Sequence, residues 1–119
     1  MSQETPKLQV FVDDCLEAYY KAPYEEGTTR LASEAIVSLM ALLVYEGLKL
    51  CLPELREWLK LGASVITLKR LAIEQKLKKY AEEKELDYKE AKKAAKAIAD
   101  RLDEKNIGTV VKALEESIR

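Results

Sequence analysis

The sequence predicts an all-α protein, a compact bundle of five or six helices around a buried central helix at about residues 29–46. Three observations carry this. From Ala35 to Tyr45 the chain holds no charge, and its Ala, Leu and Met content favours helix over strand. A helix apolar on every side must be buried on every side, by its own domain or by another subunit. The flanking segments repeat apolar residues at three- and four-residue spacing, and Pro6, Pro23, Pro53 and the four glycines punctuate them where helices start and stop.

The first helix is expected to start with Thr5 as cap and Pro6 at its first position, where a missing N–H costs nothing. Leu8, Phe11, Val12, Cys15, Leu16, Tyr19 and Ala22 form its apolar face, with Asp13, Asp14 and Glu17 outward, and Pro23 ends it. Residues 23–27 make a turn. Thr28 or Thr29 then caps the central helix, which ends at Gly47 or runs on to Leu52. Pro53 opens the next helix, Leu55, Trp58, Leu59 and Leu61 give it a buried face, and Gly62 closes it.

Ser64 or Thr67 is expected to cap a fourth helix to about Glu85, buried through Ile66, Leu71, Ile73, Leu77, Tyr80 and Ala81. Asp87 and Glu90 have the spacing of a capping box for a fifth, reaching Leu102, with Ala91, Ala94, Ala95, Ile98 and Leu102 inward. Thr109 is the expected cap of a sixth, carrying Val110, Val111, Leu114 and Ile118.

At 119 residues and 48% hydrophobic content, the chain has the size and core of a single domain, residues 1–119. A charged fraction of 34%, mostly Lys and Glu, gives it a thermophile-like surface. The net charge of −1 argues against a strongly basic nucleic-acid binder, yet it hides an asymmetry. Residues 1–64 hold six Lys/Arg against ten Asp/Glu, and residues 65–119 hold fourteen against eleven. Cys15 and Cys51 lack metal-ligand spacing and are expected as small buried hydrophobes. No signal peptide is read at the start, and Glu34, Glu46 and Lys49 are expected to keep the central run from spanning a membrane. The expected location is the cytoplasm.

Histidine is absent, which removes the commonest general base and metal ligand. No glycine-rich phosphate loop occurs among the four glycines. The acidic clusters Asp13-Asp14-Glu17 and Glu82-Glu83-Glu85 read as solvated helix faces. The expectation is a binding protein, not an enzyme, with no cofactor and no metal.

Two binding readings follow. Residues Ala97 to Leu114 resemble the helix-turn-helix pattern of DNA-binding regulators. Ala99 and Leu102 would pack the first helix, Thr109 would start the second, and Val110 and Leu114 would seat it, within a segment spanning 88–118. The resemblance implies double-stranded DNA as partner. Lys89, Lys92, Lys93, Lys96 and Lys112 are the candidate contacts, beside Glu115 and Glu116. The alternative is a helical protein–protein interaction module, a homodimer or adaptor, with Leu43, Leu50 and Trp58 as candidate interface. One continuous basic face that includes the fifth helix would favour DNA, and an exposed apolar patch would favour protein.

Overall fold

A computed structural model describes residues 6–21, 33–84 and 88–118, and every regular element among them is helical. The caps expected at Thr5, Thr28 or Thr29 and Asp87 lie outside these residues. The elements are α1 (Pro6–Lys21), α2 (Ser33–Leu42), α3 (Leu52–Leu61), α4 (Ile66–Glu83), α5 (Tyr88–Arg101) and α6 (Ile107–Ile118). A π turn (Leu43–Gly47) and a 3-10 turn (Leu48–Cys51) join α2 to α3 without leaving helical winding, so the six segments act as five rods. The radius of gyration, 13.7 Å, is close to the ~13.5 Å expected of a compact chain this long.

Helix α1 buries Leu8, Phe11, Val12, Cys15 and Tyr19 and exposes Asp13, Asp14 and Glu17, as its spacing predicts. The central run is less enclosed than its composition suggests. Ile36, Leu39 and Met40 point into the core, whereas Ala35, Val37 and Ser38 face outward. Gly47 does not end a helix: its backbone is right-handed helical at φ −65°. It serves instead as a seat for α4, because a Cβ there would stand 2.8 Å from Leu77 Cδ2. By length and apolarity the stretch Glu34–Leu61 would suffice to cross a membrane, contrary to what its charges suggested, although half of its most apolar window is buried inside the bundle.

Helix α3 carries Pro53 in its first turn, buries Leu55 and Trp58, and stops at Gly62, whose φ of 77° suits glycine alone. Leu59 and Leu61, expected inside, face out. Helix α4 buries Ile73, Leu77 and Ala81, with Ile66 and Tyr80 packed at the margin. Leu71, expected in this stripe, is exposed. It sits two residues from Ile73 and six from Leu77, roughly 200° and 240° around a helix of 3.6 residues per turn. Neither Ser64 nor Thr67 caps α4. Val65 holds the N-cap position with no side-chain bond, and the Ser64 hydroxyl donates back to the Leu61 carbonyl at 3.3 Å.

Helix α5 lies against α4 and α1 and buries Ala91, Ala94, Ala95, Ala97, Ile98 and Ala99, so small side chains face two neighbours at once. Helix α6 packs on α1 and α3. It is preceded by a reciprocal box whose cap, Asp103, stands six residues before Thr109. Asp103 Oδ1 accepts from the backbone N–H of Lys105 (2.8 Å) and Asn106 (2.9 Å), and Asn106 Oδ1 accepts from the Asp103 N–H at 2.9 Å. Asn106 Nδ2 donates in turn to the Arg101 carbonyl at 2.7 Å, tying the end of α5 to the start of α6.

Candidate functional site

Chemistry-bearing groups are few. Among the described residues no three carboxylate or cysteine side chains gather as a metal site. Cys15 and Cys51 form no disulfide and are buried, and the Cys51 thiol donates weakly to the Ile73 carbonyl at 4.0 Å. Burial pushes the Cys51 thiol up to about 12, with Glu54 adding to the rise and Lys76 opposing it. Cys15 is raised further, again by burial first, then by Asp14 and against Arg101. Both stay protonated at neutral pH, so neither supplies a thiolate nucleophile.

The α1–α5 crossing encloses a polar cluster. The Tyr19 hydroxyl, inside the core, donates to Glu90 Oε2 at 2.6 Å, and Glu90 is 2% exposed. Glu90 was expected as a partner of Asp87 in a capping box, and Asp87 lies outside the described residues; its carboxyl accepts from Tyr19 of α1. The Lys93 ammonium is buried 4.6 Å from the Tyr19 ring centroid, a cation–π distance. One acid, one base and an aromatic donor thus hold two helices in register from inside.

That placement divides the candidate DNA contacts. Lys89, Lys92 and Lys96 are exposed in one row on α5, at spacings of three and four. Lys93 points inward. Lys96 lies 3.4 Å from Asp100, an exposed pair one helical turn apart. Lys112 is exposed on α6, a different helix with different neighbours. The two helices of the helix-turn-helix-like segment pack mainly on α4, α1 and α3, with little contact between themselves. On α6, Glu115 is held by Arg56 of α3 at 2.9 Å.

The candidate interface residues separate in the same way. Leu43 and Trp58 lie in the chain's own core, and Leu50 is 54% exposed. Leu50 borders a shallow groove with Lys76, Lys79, Tyr80 and Glu83. Its carbonyl accepts from Lys76 at 3.4 Å, and that ammonium also reaches Glu54 at 3.0 Å.

A different apolar surface emerges where α3 turns into α4. Leu61, Leu68 and Leu71 are 53%, 69% and 54% exposed, and residues 61–68 carry no charge. Leu68 and Leu71 are neighbours on one helix face at i, i+3. Two of the adjacent cations, Lys69 and Arg70, are engaged elsewhere. Lys69 is tied to Glu57, which holds that carboxyl below the usual range. The Arg70 guanidinium donates to the Leu102 carbonyl, with Nε at 3.1 Å, and lies 5.7 Å from the Trp58 ring centroid. The sequence carried a signal for this surface, since Leu68 and Leu71 are out of phase with Ile73 and Leu77. The apolar letters alone masked it.

No protein-family model, curated protein or solved structure matches the chain.

Proposed function

We propose that this protein is a non-catalytic helical interaction module that associates with another protein chain, as a homodimer or an adaptor, through the exposed leucines Leu61, Leu68 and Leu71. The observation that carries this is the exposure of those three leucines beside cations committed elsewhere. Full burial of a leucine side chain contributes about 1.5–3 kcal/mol, so finishing the burial of three half-exposed ones supplies about 3 kcal/mol. A micromolar complex needs about 8.2 kcal/mol net of a large entropic cost, so the three leucines would supply only part of the binding energy. Two thiols free of a disulfide suit a reducing compartment, the cytoplasm.

Sedimentation of the whole chain from tens to hundreds of micromolar tests the homodimer. A dimer that persists in high salt and dissociates in Leu68→Lys/Leu71→Lys is the expected result. For the adaptor, the wild-type chain but not the double variant should retain a protein partner from lysate. A monomer throughout that range, together with equal retention by both chains, would refute the reading.

The row of Lys89, Lys92 and Lys96 favours a second reading, duplex DNA bound along α5. Three phosphate contacts would give a log–log salt slope of about −2.7. Fluorescence anisotropy with a short labelled duplex at low salt measures it, and Lys92→Glu/Lys96→Glu should abolish the signal. No anisotropy change at low salt removes this reading.

A further inference from the structure

We draw no further inference here: the strongest candidate, the groove of about 360 Å³ lined by Trp58, Leu59, Gly62, Glu104 and Ile107 where α3 meets the start of α6, has no buried polar side chain shown to point into it, and nothing in the structure shows what fills it.

Discussion

Replacing Gly47 by alanine sets two effects of similar size against each other. The backbone at this position is already right-handed helical, at φ −65° and ψ −43°, so alanine fits without strain. Alanine should then gain about 1 kcal/mol from helix propensity. Against this, the new methyl would stand 2.8 Å from Leu77 Cδ2, and Leu77 is wholly buried. Carbon atoms rest at about 3.5–4.0 Å, so α4 must retreat by roughly an ångström or Leu77 must leave its rotamer. Overpacking of this kind costs about 1–3 kcal/mol. The expected net loss is about 1 kcal/mol, or a Tm lower by about 4 °C for a chain of this size.

A net value that small could arise in other ways, so the deciding measurement is a cycle with Leu77→Ala. That substitution alone should cost about 2–5 kcal/mol. In its background the clash is gone, and Gly47→Ala should become stabilising by about 1 kcal/mol. Urea unfolding followed by helical circular dichroism gives all four stabilities. A coupling within about 0.5 kcal/mol of zero would mean the two sites are independent, and the close approach of α4 to Gly47 would not be what selects glycine.

Two further outcomes are expected. Tyr19→Phe removes a hydrogen bond to a buried carboxylate and should cost about 1.5–3 kcal/mol. In a cycle with Glu90→Gln the two losses should fall short of additive by about 1 kcal/mol or more, and simple additivity would refute the coupling of α1 to α5 through this bond. The raised thiols predict a stability that is flat below pH 9.0, the ordinary cysteine value, and falls as pH rises towards about 12, because the unfolded chain gives up its thiol protons first. Denaturant midpoints taken across that range should decline less steeply for Cys51→Ala than for the wild-type chain; equal slopes would show that the thiol does not contribute.

The fold class was legible because α1 and α5 keep one apolar face at helical spacing, and Cys15, Tyr19, Ala91 and Ile98 lie where that spacing puts them. The central run was legible as helix but not as a helix with an open side. Val37 is written in the same apolar letters as Ile36. Leu59, Leu61 and Leu71 were misplaced for a related reason, since leucine is common on both faces of surface helices and the phase of the stripe, not its composition, decides. Glu90 and Lys93 were harder still. Their surroundings depend on Tyr19, 71 residues from Glu90 in sequence, and local spacing gives a buried and a solvated Glu the same appearance. The true start of α6 was written plainly enough, as Asp-x-x-Asn at 103–106. Asparagine at the fourth position simply departs from the Glu or Gln of the usual box.

The paired π and 3-10 turns between α2 and α3 have an angular consequence. A π turn advances each residue through less rotation than an α-helix does, and a 3-10 turn through more. Placed back to back over Leu43–Gly47 and Leu48–Cys51, their errors oppose each other. The inward azimuth set by Ile36 and Met40 is therefore recovered at Leu55 and Trp58, past a local irregularity that gives α4 room at Gly47. The rotational account has to close across both turns together. Deleting one residue from the first, with both turns otherwise keeping their winding, should swing Trp58 out of the core by somewhat less than the roughly 100° of an α-helical step. Quenching of its fluorescence by a soluble quencher would report that rotation, and an unchanged, shielded Trp58 would show that the two turns do not act as one phase-setting unit.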